Sequence, residues 1–291
     1  VVDRIPSGIF VDATLGGGSH SEEILKRRLD LELIAIDRDY SALEAARQKL
    51  QKFSGRVRFF HEPFSSLEKI FTGEDILRIS GFLFDLGVSS PQLDNAERGF
   101  SYRFEGPLDM RMDTRQQKTA SYLLNNLEES DLKRIIERNS DERFAARIAA
   151  LIVKNRPIKN TLEFAELIKK AIPAAARRRG GHPAKRTFQA IRMEVNHELE
   201  ELSQGVTTSI DYLKPKGCGI VISYHSGEDR MVKGLFKNVV TGGCSCPSKL
   251  PCVCGAVIKG KLPHSGVTAS KEEIKENRRA KSARLRVLES V

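Results

Sequence analysis

The sequence has 291 residues, of which 40% are hydrophobic and 30% charged, as expected of a globular chain with a substantial core. Its 48 Lys and Arg against 38 Asp and Glu give a net charge of +10. This balance favours a polyanionic partner, with an ordinary basic, solvated surface as the alternative. No apolar run approaches the roughly 18 residues of a membrane span and the first residues lack a signal-peptide pattern. We therefore expect a cytoplasmic protein without membrane association.

The first predicted strand runs directly into a glycine turn and then a helix. Residues 10–13 form a buried-strand pattern, glycines follow at 16–18, and a helix is predicted over 21–29. A second buried strand, 33–36, ends on Asp37. A glycine after a first parallel strand lets the backbone approach a ligand, and an acid at the tip of the second strand can accept hydrogen bonds from both ribose hydroxyls. The pattern predicts a site for a nucleotide-type cofactor.

The spacing of the glycines separates two classes of cofactor. The dinucleotide fingerprint has a third glycine where this sequence has Ser21, because the helix must pack closely beneath a pyrophosphate. S-adenosylmethionine has no pyrophosphate and makes no such demand. The turn therefore favours S-adenosylmethionine over NAD, and a tight turn with a purely structural role is the third alternative.

Strands and helices alternate through the first third of the sequence. The predicted strands are 10–13, 33–36, 57–60 and 82–84, and the predicted helices are 21–29, 40–51 and 65–71. This alternation predicts a parallel sheet, with its ligand beyond the carboxyl ends of the strands.

The alternation stops after the fourth strand. Residues 86–113 are rich in Gly, Ser, Pro and Asp and show no period, whereas 119–172 has helical periodicity. A further helix is predicted through 188–202, and a strand at 220–222 resumes the sheet. We therefore expect an α/β fold in which a helical insertion for substrate recognition interrupts one domain. The expected boundaries are 1–105 for the first part of the core, 106–200 for the insertion and 201–291 for the second part of the core.

Several long segments, taken in order, resemble the signature segments of a known family. They are residues 11–21 (VDATLGGGSHS), 35–39 (AIDRD), 84–94 (FDLGVSSPQLD), 97–101 (ERGFS), 106–113 (GPLDMRMD), 187–192 (TFQAIR) and 223–230 (SYHSGEDR). The sequence is thus similar, over nearly its whole length, to the bacterial small-subunit ribosomal RNA cytosine-N4 methyltransferases, the RsmH or MraW family. It departs from the family pattern at Ser19, where glycine is usual, and at Gly227, where leucine is usual. The family also has a short segment before the position of Asp3, so we expect a trimmed form of a longer chain.

The resemblance implies a Rossmann-like S-adenosylmethionine-dependent methyltransferase core with an inserted helical domain. The implied reaction is methylation of the exocyclic N4 amine of a cytosine in the decoding region of 16S ribosomal RNA, with small-subunit ribosomal RNA within the ribosomal subunit as partner. Two other functions stay open: an RNA-binding ribosome assembly factor without catalysis, and a NAD-dependent oxidoreductase. Ser21 and the basic excess disfavour the oxidoreductase, and the retained cofactor residues disfavour the assembly factor.

The resemblance also assigns cofactor-binding positions, namely Gly18, Ser19, His20, Asp37, Phe64, Asp85 and Gln92. The turn amides and His20 suit the methionine end, Asp37 suits the ribose hydroxyls, and the Phe64 ring suits the adenine face. Asp85, at the end of the fourth strand, would hold the methionine ammonium or face the target amine. The alternatives are helix N-caps for Asp37 and Asp85 and a plain core aromatic for Phe64.

The implied chemistry asks little of a general base. The lone pair of a cytosine N4 is delocalised, but the sulfonium is a strong electrophile, so alignment supplies much of the rate. Acceptors aimed at the N4 hydrogens would add to it by favouring a pyramidal nitrogen. The sequence lacks the Asp/Asn/Ser-Pro-Pro-aromatic motif that many amino-methyltransferases carry after the fourth strand. The candidate catalytic acceptors are Asp85 and the acids of segment 108–113, with Asp109 preferred and a structural pair with Arg111 as the alternative.

Basic side chains are the candidates for binding the RNA. They are Arg177, Arg178, Arg179, Lys185 and Arg186, together with the basic segment 271–286. Phosphate contacts give affinity and position, while a flipped or single-stranded base would be read in the pocket. A solvated helix face explains the terminal segment nearly as well.

Four of the five cysteines form two C-x-C units, Cys244 with Cys246 and Cys252 with Cys254. Four thiolates can make a tetrahedral zinc site, but C-x-C is tighter than the usual C-x₂₋₄-C spacing and the resemblance brings no metal with it. We therefore expect no metal and reduced thiols in a loop, with zinc as the alternative. The fifth, Cys218, is expected on a buried strand.

Overall fold

The computed structural model describes residues 1–178, 181–247 and 253–291. The chain divides into two compact units, the sheet unit (Val1–Gly87 and Leu199–Val291) and the helical unit (Val88–Glu198). The predicted α/β class, with a central sheet and helices, is confirmed. The segment that interrupts the sheet unit spans 88–198, whereas the sequence predicts 106–200.

The helical unit begins at Val88 because the irregular segment after the fourth strand packs with the helices that follow it. This segment contributes Phe100, Leu108 and Met110 to the hydrophobic core of the helical unit. A stretch without hydrophobic periodicity gives no indication in the sequence of which core it joins.

The described residues of the sheet unit form one sheet of eight strands. In chain order the strands are β1 (Gly8–Asp12), β2 (Leu31–Ile36), β3 (Val57–Phe60), β4 (Ile79–Asp85), β5 (Leu213–Ser223), β6 (Gly260–Lys261), β7 (Val267–Thr268) and β8 (Arg284–Ser290). Across the sheet the order is β3-β2-β1-β4-β5-β8-β6, and β7 pairs with β8. Strands β1 to β5 are parallel, and β8 runs antiparallel to β5. All five predicted strands lie on β1 to β5, whereas β8 falls partly in the segment expected to bind RNA.

The helices follow the same chain order. They are α1 (Ser19–Arg27), α2 (Tyr40–Lys49), α3 (Leu67–Gly73), α4 (Ser90–Asp94), α5 (Ala120–Asn126), α6 (Glu129–Asn139), α7 (Ala145–Lys154), α8 (Thr161–Ala171), α9 (Ala174–Arg177), α10 (Lys185–Val195), α11 (Glu198–Asp211), α12 (Ser226–Thr241) and α13 (Lys271–Glu276). The single helix predicted over 188–202 is wrong, because α10 and α11 are separate. Between them His197 has a φ of 49°, and the side chain of Asn196 bonds the backbone of Met110 and Met112, each at 2.7 Å.

Buried residues cover both faces of the sheet. On β2, Leu33 joins a hydrophobic cluster with α1 and α2, whereas its neighbour Ile34 joins another with α3, α11 and α12. Successive strand residues point to opposite faces, so a sheet covered on both sides is built from continuous apolar runs. In the helical unit, α5 to α8 and α10 share one core. No helix in the described part of the chain has the length and apolar character needed to cross a membrane.

Candidate functional site

A glycine turn connects β1 to α1. Gly18 has a φ of 74°, a left-handed conformation that favours glycine, and a Cβ there would lie 3.2 Å from the Cβ of Ala46. Gly18 is also the N-cap of α1 and has no side chain to cap it, so the first backbone N–H groups of the helix suit an anionic group. Ser19 and His20 form the first turn of α1 and are exposed, with the Ser19 hydroxyl accepting from Lys49 Nζ at 2.7 Å.

Asp12, the last residue of β1, stabilises this turn through hydrogen bonds. Its carboxylate is buried, and it accepts from the Ser21 hydroxyl at 2.6 Å and from the Thr14 N–H at 3.1 Å. Burial raises the pKa of Asp12 above its ordinary value, although both hydrogen bonds oppose the shift. Ser21 is itself buried, which explains a hydroxyl where the dinucleotide fingerprint has glycine: the side chain anchors the turn to β1.

Asp37 follows β2, and its carboxylate is tied to the glycine turn. Oδ2 accepts from the Gly16 N–H at 2.7 Å, and Oδ1 accepts from the Asp39 N–H at 2.8 Å. Burial raises the pKa of Asp37 to about 6 in spite of these two hydrogen bonds. The N-cap alternative for Asp37 is wrong, because Asp39 caps α2 by accepting from the Ser41 N–H. Each carboxylate oxygen has a second lone-pair site, so Asp37 can also accept from two hydroxyls.

Asp85 ends β4 and is held by groups from three other segments. Its backbone N–H donates to the Thr14 hydroxyl at 2.6 Å, and the Tyr224 hydroxyl donates to its Oδ1 at 2.9 Å. Nε2 of His20 lies 3.4 Å from its Oδ2. The N-cap alternative for Asp85 is wrong, since the next helix, α4, is capped by Ser89.

The carboxylate of Asp85 changes the titration of its two neighbours. Its hydrogen bond raises the pKa of His20, although partial desolvation of the ring opposes the change. Burial, followed by the Asp85 charge, raises the pKa of Tyr224 well above its ordinary value. Tyr224 therefore stays a neutral hydrogen-bond donor, and His20 keeps its second proton to a higher pH than a solvated histidine does.

Phe64 follows β3 in a short 3₁₀ turn, Phe64–Ser66, and is half-buried. The rings of Phe64 and Phe84 pack edge to face, with their centroids 5.1 Å apart. Phe64 therefore packs partly in the hydrophobic core, in line with the alternative prediction of a core aromatic. Glu201 on α11 fixes the turn by accepting from the Ser65 N–H and hydroxyl, both at 2.9 Å. A Cβ at Gly205 would lie 2.7 Å from the Phe64 Cβ, so α11 approaches here because position 205 has no side chain.

The other two residues predicted to bind the cofactor or act in catalysis, Gln92 and Asp109, belong to the helical unit. Gln92 is buried and completes a capping box with Ser89: its Oε1 accepts from the Ser89 N–H at 3.0 Å. Asp109 forms a two-point pair with Arg111, with Nε–Oδ1 at 2.7 Å and Nη2–Oδ2 at 2.8 Å. Burial raises the pKa of Asp109, but the Arg111 hydrogen bonds outweigh it and leave a net lowering. The Asp109–Arg111 pair named as an alternative is thus present.

The predicted RNA-binding residues also lie in the helical unit. Arg177 ends α9, Arg178 follows it, and both are exposed; Arg179 lies outside the described residues. Lys185 and Arg186 are exposed in the first turn of α10, and the Arg186 guanidinium donates to the Asp141 carbonyl at 3.1 Å. In the terminal segment, Arg286 is buried on β8 and pairs with Asp229 at 2.7 and 3.0 Å, so it is engaged within the sheet unit.

The sheet unit brings most of the predicted cofactor residues to one edge. They follow β1 (Gly18, Ser19, His20), β2 (Asp37), β3 (Phe64) and β4 (Asp85), the four strands that are neighbours in the order β3-β2-β1-β4. Carboxyl ends of parallel strands form the ligand edge of such a sheet. The sequence did not predict that Asp12 would stabilise the glycine turn, or that Thr14 and Tyr224 would hold Asp85 in place. Tyr224 had a usable signal, because it directly follows β5, the parallel neighbour of β4.

This fold and site define an α/β protein that binds a nucleotide-type cofactor. The MraW methylase family matches residues 1–291. The chain is 48% identical over 291 residues to Ribosomal RNA small subunit methyltransferase H of Halothermothrix orenii, covering 98% of this chain and 93% of that protein. It is 47% identical over 293 residues to the protein of the same name from Pelobacter propionicus, with the same coverage. Among solved structures it is similar to an rRNA methylase from Streptococcus thermophilus, with a TM-score of 0.43, 10% identity and coverage of 100% of this chain and 91% of that one.

The chain belongs to the MraW methylase family. Membership of this methylase family confirms the predicted cofactor, S-adenosylmethionine. The residues present fit its chemistry. Asp37 offers acceptors for ribose hydroxyls, the uncapped start of α1 offers donors for a carboxylate, and Asp85 offers a carboxylate for an ammonium group.

Proposed function

We propose that this protein methylates the exocyclic N4 amine of a cytosine in the decoding region of 16S ribosomal RNA, using S-adenosylmethionine. The names of the relatives support small-subunit ribosomal RNA as the substrate. The observation that carries the proposal is the Asp85 carboxylate, which Tyr224 and His20 hold at the end of β4, next to the start of α1. A ribosomal RNA substrate also implies that the protein works in the cytoplasm.

In the proposed site, the chain's own residues bind and orient the reactants. Asp37 accepts from the ribose hydroxyls, the N–H groups of Ser19 and His20 meet the methionine carboxylate, and Phe64 lies against the adenine face. Gln92, in the helical unit, is proposed as a cofactor-binding residue on the family resemblance alone. S-adenosylmethionine supplies an electrophilic methyl group when it is bound. Orientation of this kind can account for much of the rate, because the target nitrogen needs only to be aligned with the methyl group.

A carboxylate that accepts a hydrogen bond from the N4 amine would favour the pyramidal nitrogen of the transition state. As the N–CH3 bond forms and the S–CH3 bond breaks, the nitrogen must lose one proton, which such a carboxylate can take up and pass to solvent. Asp85 and Asp109 are the two candidates. Asp85 is oriented by one hydroxyl donor and by the His20 ring, and its side chain is 26% exposed. Both oxygens of Asp109 already accept from Arg111, which holds the side chain in one orientation and weakens its basicity. The geometry therefore favours Asp85 over Asp109 as the acceptor, reversing the preference from the sequence.

Binding of the RNA is proposed for the basic residues of the helical unit, Arg177, Arg178, Arg179, Lys185 and Arg186. Phosphate contacts supply affinity that does not depend on the base, so the target cytosine would be selected by the pocket that receives it. The small ribosomal subunit is the proposed form of the substrate.

Two measurements test this function. Calorimetric titration with S-adenosylmethionine and, in parallel, NAD separates a methyltransferase from an oxidoreductase. Transfer of labelled methyl from S-adenosylmethionine to unmodified 16S ribosomal RNA and to unmodified small subunits, followed by mass spectrometry of the RNA digest, identifies the product. We expect N4-methylcytidine at one position of the decoding region. Cofactor binding without methyl transfer to either substrate would instead favour the assembly factor.

A further inference from the structure

The Sγ atoms of three cysteines cluster in the segment between α12 and β6. Those of Cys244, Cys246 and Cys254 all lie within 4.8 Å of one another. Cys244 and Cys246 are half-buried and Cys254 is exposed. These residues belong to the two C-x-C units, and none of them has a role in the proposed methyl transfer.

The backbone brings Cys254 close to Cys244 and Cys246 at the end of α12. Gly242 ends the helix with a φ of 61°, and a Cβ there would lie 2.5 Å from the carbonyl oxygen of Val257. The chain after Cys254 can therefore return to this point only because position 242 has no side chain. The Lys259 N–H then donates to the Val239 carbonyl at 3.1 Å, which fastens the returning chain to the helix.

This segment has no hydrophobic anchor of its own in the part that the structure describes. Across residues 241–247 and 253–259 no side chain is buried, and Val253 is 88% exposed. Irregular chain of this kind gains little stability from burial. A bound metal ion provides it in many small, loop-rich elements.

The chemistry of the cluster selects the ion. Zinc binds thiolates at about 2.3 Å in a tetrahedron, which sets neighbouring sulfur atoms about 3.8 Å apart, within the separation found here. Thiolates this close repel one another unless a cation lies between them, and soft sulfur ligands favour zinc over magnesium or calcium. A disulfide would join only two of the three sulfur atoms.

We propose that Cys244, Cys246 and Cys254 bind a structural zinc ion. The ion ties the end of α12 to the chain that leads into β6. This proposal replaces the expectation of reduced thiols without a metal, which rested on the tight C-x-C spacing and on a resemblance that brings no metal. The spacing within one C-x-C unit matters less once Cys254 lies beside Cys244 and Cys246.

Metal analysis of the complete chain tests the proposal. The protein is purified under reducing conditions, its zinc content is measured by mass spectrometry, and the affinity of the metal-stripped chain is measured by competition with a chromophoric chelator. We expect one zinc ion per chain, with proton release on binding. Cys244→Ser, Cys246→Ser and Cys254→Ser should each weaken zinc binding by at least about 10-fold. Cys218→Ser, at the buried cysteine of β5, is the matched control and should leave zinc content unchanged.

Titration of the unsubstituted, metal-stripped chain with cobalt tests the site without relying on variants that could fail to fold. Cobalt in a thiolate site gives an intense sulfur-to-metal charge-transfer band, and zinc should displace it. The absence of this band, zinc well below one ion per chain, or zinc content that none of the three serine variants lowers would each overturn the proposal.

Discussion

The hydroxyl of Tyr224 donates a hydrogen bond to Oδ1 of Asp85 at 2.9 Å, across 139 positions of sequence. The two residues are neighbours because β4 and β5 are adjacent parallel strands, and each residue stands where its strand ends. The hydrogen bond fixes one oxygen of Asp85 and directs the other toward His20. The acid is thus oriented before any substrate arrives, which is the arrangement that electrostatic catalysis requires.

Asp85→Asn should impair both cofactor binding and methyl transfer. The amide keeps the size of the side chain but loses the charge that would hold an ammonium or accept from the N4 amine, so we expect the single-turnover rate to fall by about 100-fold or more. Calorimetry and single-turnover transfer at saturating RNA measure the two effects. Tyr224→Phe, which removes only the orienting hydroxyl, should lower the rate by a smaller factor of about 10. A normal rate in Asp85→Asn would remove this residue from the mechanism.

Asp109→Asn separates catalysis from a structural role in the helical unit. If Asp109 accepts from the target amine, the rate should fall by about 100-fold with little change in cofactor affinity. Asp113→Asn is the matched comparison, because Asp113 pairs with Arg115 at 2.8 Å in the same segment. We expect similar, small effects from both substitutions, as the pairing with Arg111 indicates. A large loss of rate confined to Asp109→Asn would restore this residue as the acceptor.

Cofactor affinity should depend on pH through Asp37. The pKa of this carboxyl is raised to about 6, so in the free protein it gains a proton as the pH falls through that value and loses acceptor capacity. Binding that requires the ionised form should weaken by up to about 10-fold per pH unit below 6. The same shift makes the fold less stable as pH rises from the ordinary aspartate pKa toward 6, because the native state binds more protons over that window.

Calorimetry with S-adenosylmethionine at several pH values between about 5 and 8 measures this dependence. Asp37→Asn is the control: it should cost about 1.5–3 kcal/mol of binding free energy at neutral pH and abolish the dependence near pH 6. His20 stays protonated over the acidic part of the range because its own pKa is raised. An unchanged pH profile in a folded Asp37→Asn variant would assign the titration to another group.

Replacing Arg177, Arg178 and Arg179 together by alanine should weaken RNA binding and leave cofactor affinity unchanged. Each lost phosphate contact should reduce the slope of log affinity against log salt by about one. The matched control is the triple alanine variant of Arg230, Lys233 and Lys237, which removes the same charge from exposed positions of α12. Filter binding over a series of salt concentrations gives both slopes. Equal reductions in the two variants would mean that only net charge matters.

The sequence was most informative where the chemistry is local. Continuous apolar runs at 33–36 and 82–84 predicted β2 and β4, since a strand buried on both faces has no polar side. The acid that directly follows β2 predicted the position of Asp37. Interactions between residues far apart in the sequence could not be predicted. Nothing near Asp12 indicates that Ser21 will bond it, and nothing near Arg284–Ser290 indicates a strand, because β8 is specified by its antiparallel partner β5. The break at Asn196 was missed for the same reason, since its hydrogen-bond partners lie in another segment.

The position of the helical unit in the chain has a consequence for how the protein folds. β4 and β5 are hydrogen-bonded neighbours, yet all of Val88–Glu198 is synthesised between them. The helical unit has its own core and can become compact first, after which fewer flexible residues must be ordered to join the two strands. We expect β5 and β8 to enter the sheet last and slowly, so that pulsed hydrogen exchange during refolding protects amides of α6 and α7 before those of β5. Simultaneous protection would mean that the sheet closes without waiting for the inserted segment.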